Sequence, residues 1–325
     1  MSALLVFIVS AAAALVMVML FGILLLRRWY QERRQQSDRA NLAAITRSYM
    51  RRVAGQIDED ASAKWSDDLR LAAVSHIHLL LRGGERHRLM QMAELDGLLR
   101  ATLARSRSWR TARRIDAIRL LQQFGSEACI ARLREIFSRD RSMAARLEAA
   151  FALAAVYALP PPRETIRLLG IFERKVNRLD RALFRASAPD YPEQMALLLD
   201  DPISNEHRAL IIDALGWSSD ANALPLLEAA SRSEYPEIRS AALQAAAQLA
   251  LPSVEPWVME RLQDPVDFVR LQAANCCASL GLNDAIPALH LLLEDESLWV
   301  RLRAEHALEV LQYQWLNLDA KGLLA

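Results

Sequence analysis

The sequence predicts an all-α protein, an α-solenoid of helical hairpins preceded by a single transmembrane helix. Three observations predict it. The first 26 residues carry no charged side chain. Ala, Leu and Arg dominate the remainder, while Gly and Pro are scarce at 10 and 12 in 325 residues. Two residue columns recur with a shared period of 31. Runs that alternate Val, Ile, Thr and aromatic residues are missing, so a sheet has no support.

The anchor is expected at residues 1–26. Leu4–Leu26 is an unbroken run of 23 residues without a charge. As a helix it would reach roughly 34 Å, enough for a hydrocarbon core of about 30 Å. A cleaved signal peptide would carry a basic start, a shorter apolar core and a small-residue cleavage site. Here only MSA precedes the run, whereas Arg27, Arg28, Arg33, Arg34, Arg39, Arg47, Arg51 and Arg52 follow it. That imbalance predicts a single span in a bacterial inner membrane, with the N-terminus outside and residues 27–325 in the cytoplasm. Arg27, Arg28, Trp29, Tyr30, Arg33 and Arg34 are the expected membrane-interface residues, aromatic at the headgroup level and basic toward anionic lipid. Residues 27–61 read as a basic juxtamembrane helix ending in an acidic linker at Asp58-Glu59-Asp60.

The array is expected from 62 to 316, as about eight hairpins, with a cap or frayed tail over 317–325. Pro225, Pro256 and Pro287 are 31 apart, and so are Arg208, Arg239, Arg270 and Arg301. Arg146 lies two periods before Arg208, and Arg114 lies 32 before Arg146. Near Asn177 and Arg178 the register slips by about a residue. Each Pro suits the first turn of a first helix, where its missing N–H costs nothing. Each Arg opens a second helix whose offsets −1, +3, +7 and +10 are mainly apolar. At Arg270 these are Val269, Ala273, Cys277 and Leu280, one helical face. Gly281 ends that helix, and Gly125 holds nearly the same place five periods earlier. One such hairpin cannot bury its apolar face, but stacked neighbours can.

The Pro column, the aliphatic-Arg pairs and an Asp six residues before Arg resemble the HEAT repeat family, particularly its short phycobilisome-lyase-like variety. The Asp occurs as Asp140, Asp264 and Asp295. The resemblance is strong over 200–312, fair over 106–170 and weak over 60–105 and 171–199, with Gly83-Gly84 breaking one unit. It implies that Asp and Arg tie neighbouring repeats together, and that second helices line a concave side where partners bind.

Charge divides the chain. Residues 1–189 carry 32 basic and 18 acidic side chains, whereas 190–325 carry 8 and 21, against a net charge of +1 for the whole. Nearly all the basic charge is Arg, since Lys occurs only at 64, 175 and 321. The three cysteines, Cys129, Cys276 and Cys277, lack framework spacing and read as buried, reduced thiols. Trp109, Trp257 and Trp299, near helix starts, are expected to plug gaps between repeats.

No catalytic, cofactor-binding or metal-ligating residue is expected. HExxH, CxxC and Gly-rich phosphate loops are missing, and His76 and His78 point about 200° apart on a helix. Some HEAT-like proteins attach bilins and others excise damaged bases. The clearest repeats here lie in the acidic half, which disfavours nucleic acid there. The basic stretch 100–146 is left to lipid or an acidic protein. The expectation is a scaffold that binds a protein partner, within an envelope or polysaccharide-synthesis complex. Its alternative is a regulatory adaptor for a soluble signalling protein, and behind that a HEAT-type bilin lyase or DNA glycosylase-like enzyme. The partner stripe is expected at offset +5, giving Asp213, Gln244, Asn275 and His306, with Gln272 and Arg303 at +2 and Gln248 at +9. These form one polar stripe away from the apolar face, neutral enough to hydrogen-bond a partner at small desolvation cost.

Overall fold

The computed structural model describes residues 17, 19–23, 25, 27–28, 39–56 and 65–322, with the side chains of the last helix described to Gln312. Among the described residues there is no strand, and the chain divides into two units, Met1–Ser126 and Glu127–Ala325.

The first unit holds α1 (39–53), α2 (Asp67–Leu80), α3 (Gly83–Leu95), α4 (Leu98–Arg105) and α5 (Thr111–Phe124). Ser66 caps α2 by accepting from the Leu69 N–H, and Asp67 and Asp68 favour the positive end of the helix. Gly83 and Gly97 take positive φ at the starts of α3 and α4. The Gly83-Gly84 pair therefore opens a helix rather than interrupting one. Ile45, Tyr49 and Val53 of α1 are buried in one cluster with Leu71, Val74, Ile77, Leu89 and Leu98. Polar contacts fix α1 as well. Arg52 grips Asp96 through two bonds of 2.7 and 3.0 Å, and the Tyr49 hydroxyl donates to the same carboxylate at 2.8 Å. Burial would raise the Asp96 carboxyl, but the Arg52 and Tyr49 bonds and the charges of Arg52 and Arg70 hold it below its usual range.

The second unit runs through α6 (Glu127–Arg139), α7 (Met143–Ala155), α8 (Pro162–Leu169), α9 (Arg178–Ser187), α10 (Pro192–Leu197), α11 (Asn205–Leu215), α12 (Leu224–Ser231), α13 (Pro236–Leu249), α14 (Glu255–Glu260), α15 (Asp267–Leu280), α16 (Ile286–Leu291) and α17 (Leu298–Gly322). The pairs α6–α7, α10–α11, α12–α13, α14–α15 and α16–α17 pack as hairpins, and α7, α9, α11, α13, α15 and α17 pack on one another in succession. The sequence columns fall where their chemistry requires. Pro225, Pro256 and Pro287 sit in the first turns of α12, α14 and α16. The second helices meet through small side chains: Ala242, Ala245, Ala246, Ala273, Ala274, Cys276, Cys277, Ala304 and Ala307 are fully buried. Short side chains of this kind let neighbouring helices approach closely. Gly216 is the extreme case, since a Cβ there would lie 2.4 Å from the Cα of Ala245.

The Arg column forms a ladder. Arg270 donates through Nη1 to the carbonyls of Asp264 and Pro265, and Arg301 does the same to Asp295 and Glu296. The rest of the fork reaches forward. Arg239 binds both oxygens of Asp264 at 2.7 Å, and Arg270 binds both of Asp295 at 2.7 and 2.8 Å. Each Asp also accepts an N–H of its own turn, from Val266 and Ser297. The α13–α15 and α15–α17 joints thus each carry a bidentate, charge-assisted pair.

A further column appears eleven residues after each Arg. Gly125, Tyr157, Ser219, Ala250 and Gly281 all take positive φ, between 52° and 69°. They end or follow α5, α7, α11, α13 and α15, where the chain must reverse through a left-handed residue. Tyr157, Ser219 and Ala250 are the non-Gly residues of positive φ among those described.

Several expectations are corrected. Helix α1 belongs to the core of the first unit rather than to a separate juxtamembrane segment, because Ile45, Tyr49 and Val53 face inward. The last helix runs on to Gly322, so no boundary falls at 316. Trp257 is buried, but Trp109 and Trp299 are 74% and 69% exposed and plug nothing. Most of Leu4–Leu26 lies outside the described residues, as do Trp29, Tyr30, Arg33, Arg34 and Asp58-Glu59-Asp60. Arg27 and Arg28 are exposed and helical. Among the described residues no helix is long and apolar enough to cross a membrane.

Candidate functional site

Helices α11, α13 and α15 present the second-helix face expected to meet a partner. Between α11 and α13 lies a cavity of about 580 Å³. Glu206 and Glu237 line it in register, each two residues before a ladder Arg, with Tyr235 and Phe268 beside them. The same −2 column continues as Phe268 and Trp299. Tyr235, Phe268 and Trp299 are 42, 41 and 69% exposed, unusual for side chains of that size. The face therefore turns from acidic to aromatic along the array.

The predicted stripe is partly assembled there. Asp213 and Gln244 line the cavity. Asp213 is not a free acceptor, however. It is buried, and Arg185 binds both its oxygens at 2.8 Å while lying 5.3 Å over the Trp217 ring. That is a correction, since Asp213 serves the joint between α9 and α11. Arg303 reaches back to Asn275, Nη1 to Oδ1 at 3.3 Å, which places offsets +2 and +5 of neighbouring helices side by side. Gln272 and Asn275 are half-buried, whereas His306 and Gln248 are exposed.

Reading offsets +2, +5 and +9 missed the −2 column. The signal was present in the period, as Glu206, Glu237, Phe268 and Trp299 are each 31 apart. It was hidden because Glu at a helix start reads as an ordinary first-turn residue favoured by the macrodipole.

Two adjacent thiols and one histidine lie buried within the array. The thiols of Cys276 and Cys277 are buried and free. Burial pushes the Cys277 thiol up to about 12 and raises Cys276 further, which removes thiolate character. His207 is buried between Ser204 Oγ, at 2.7 Å, and the carbonyls of Ile171 and Arg174, at 3.0 and 3.1 Å. Among the described residues no group of His, Cys, Asp and Glu could hold a metal ion.

The chain matches no curated protein. Solved structures are similar to it at low identity. Human deoxyhypusine hydroxylase in complex with glycerol is 15% identical, with 86% of this chain and 98% of that one covered and a TM-score of 0.33. The complex of CpcE and CpcF of phycocyanin lyase from a Nostoc species is 18% identical, covering 66% and 94% at a TM-score of 0.36. A designed armadillo repeat protein is 20% identical, covering 66% and 99% at 0.32. Residues 223–309 match the family model of HEAT repeats. The stretch runs from α12 into the first half of α17 and contains the ladder pairs Arg239–Asp264 and Arg270–Asp295. The described residues thus form a helical repeat array, of which residues 223–309 are similar to HEAT repeats.

Proposed function

We propose that this protein is a membrane-tethered scaffold whose helical array binds a partner protein on the face of its second helices. The observation that carries the reading is the exposed cavity between α11 and α13, continued by exposed Phe268 and Trp299. Aromatic side chains on an open helical face have surface to lose on docking, and such residues supply most of the energy in protein interfaces. The tether rests on the uncharged run Leu4–Leu26 and the Arg residues after it. That polarity supports an inner-membrane span with the array in the cytoplasm.

Two measurements test the reading. The full chain, carrying a C-terminal affinity tag and extracted in neutral detergent, is expected to bring down a stoichiometric protein partner. Recovery of the chain alone defeats the scaffold. A reporter that works only in the periplasm, fused after Ala325, is expected to be silent, and activity there overturns the orientation.

A further inference from the structure

We propose that this face seats an extended protein segment that presents two cationic side chains to Glu206 and Glu237 and apolar side chains to Phe268 and Trp299. The proposal rests on the scaffold reading and specifies its occupant.

Charge selects the occupant. Residues 190–325 hold 21 acidic against 8 basic side chains, a field that steers cations toward this half. Within the cavity, Arg185 neutralises Asp213, and Arg181 is the cation among the lining residues, so Glu206 and Glu237 leave an acidic excess. Both carboxylates are exposed on the helix starts. Tyr235 and Phe268 add ring faces to the same wall, and a guanidinium or ammonium group is attracted both to such faces and to carboxylates. An acidic or purely apolar segment would leave Glu206 and Glu237 repelled or desolvated without a partner.

Spacing selects the pattern. Packed helices stand about 8–10 Å apart, and an extended chain advances about 3.3 Å per residue. One hairpin therefore corresponds to roughly three residues of occupant. Glu206, Glu237, Phe268 and Trp299 fall on four consecutive second helices, α11, α13, α15 and α17. The occupant then carries cations at two positions three apart, followed at the same interval by two apolar residues. Phe268, Leu298, Trp299 and Leu302, exposed by 41, 54, 69 and 46%, form the apolar end.

The probe is a fluorescent ten-residue peptide of serine with arginine at its first and fourth positions and leucine at its seventh and tenth, together with its reversed sequence. With the full chain in neutral detergent, one of the two orders is expected to bind, and to bind at least tenfold more weakly in 300 mM than in 50 mM salt. Glutamine in place of both arginines is expected to weaken binding at least tenfold. The same loss is expected when the intact peptide meets Glu206→Gln/Glu237→Gln. Phe268→Ala/Trp299→Ala is expected to weaken the leucine peptide but not its all-serine-and-arginine counterpart. Unchanged circular dichroism identifies variants that remain folded. The proposal is overturned if neither order binds, if the glutamine peptide binds equally, or if the carboxylate double variant binds as well as the parent. A native partner captured equally by parent and Glu206→Gln/Glu237→Gln would sink the basic occupant and leave the scaffold standing. A chain that binds the peptide yet recovers no partner from the membrane fraction would do the reverse.

Discussion

Arg239 and Asp264 lie 25 residues apart and close one joint of the array, with Nε and Nη2 each 2.7 Å from a carboxylate oxygen and both side chains nearly inaccessible. Removing one member of a buried pair strands the other charge, a cost of about 3–5 kcal/mol. Arg239→Ala is therefore expected to shift the urea midpoint of the C-terminal repeats strongly, and Asp264→Asn nearly as much. The acid side follows from the same pair. Burial opposes ionisation of Asp264, but the Arg239 and Val266 bonds and the charges of Arg239 and Arg261 outweigh it, so its carboxyl titrates below 3.8. Its contribution is full above the unfolded value near 3.8 and is lost as pH falls through the lower folded value. A parent chain whose stability is flat between pH 4.5 and 2 would contradict this, as would an equally steep acid loss in Asp264→Asn.

Gly216 allows α11 to approach α13 more closely than any side chain would permit. An added Cβ would stand 2.4 Å from the Ala245 Cα and 2.7 Å from its carbonyl oxygen, and backbone cannot swing aside. Gly216→Ala is expected to destabilise by about 1–3 kcal/mol or more through overpacking, despite the better helix propensity of Ala. Calorimetry decides it, since a raised Tm would mean that the two helices are free to part.

The period of 31 made the second half of the array legible. Pro225, Pro256 and Pro287 mark first helices, and the ladder Arg residues mark second helices, because each residue type has one structural job at its position. The joints were readable too, as Asp264 and Asp295 stand six residues before an Arg. Helix α1 was not readable as core. Arg47, Arg51 and Arg52 dominate its pattern, and its three inward residues matter only once Asp96, 44 residues on from Arg52, is brought beside them. At the candidate site, Asp213 has the same spacing as Gln244 and Asn275. Only the arrival of Arg185 turns it from a surface acceptor into a joint.

The place of α1 dictates where the folded first unit starts. A chain beginning at Ile57 lacks Ile45, Tyr49 and Val53 and leaves Asp96 without Arg52. It is expected to lose the cooperative unfolding of the first unit, whereas a chain beginning at Arg39 keeps it. Tyr49 offers a direct readout. Burial, then the bond to Asp96 and its charge, raise its phenol to about 12. Because the folded value lies above the unfolded 10, this contribution is full below pH 10 and disappears as pH rises toward 12. Ultraviolet titration is expected to show a late-ionising tyrosine phase that Tyr49→Phe removes. Loss of Tyr49 with no change in the late phase would place that tyrosine elsewhere.

Ala250 and Gly281 occupy equivalent positions, 31 residues apart, with φ of 52° and 69°. The same pair of residue types should therefore give opposite signs when exchanged at the two sites. A Cβ in the left-handed region costs about 1–2 kcal/mol, and the greater freedom of unfolded Gly offsets about 0.5–1 kcal/mol of any relief. Ala250→Gly is expected to stabilise by the difference, roughly 0.5–1 kcal/mol, and Gly281→Ala to destabilise by a similar amount. Ser219→Gly and Tyr157→Gly share the geometry, at φ of 56° and 54°, and the expected sign of Ala250→Gly. Urea unfolding of the four variants measures all the signs at once. If Ala250→Gly lowered the midpoint, helix α13 would have to end by some means other than the left-handed turn that binds the Ala250 N–H to the Ala246 carbonyl at 3.0 Å.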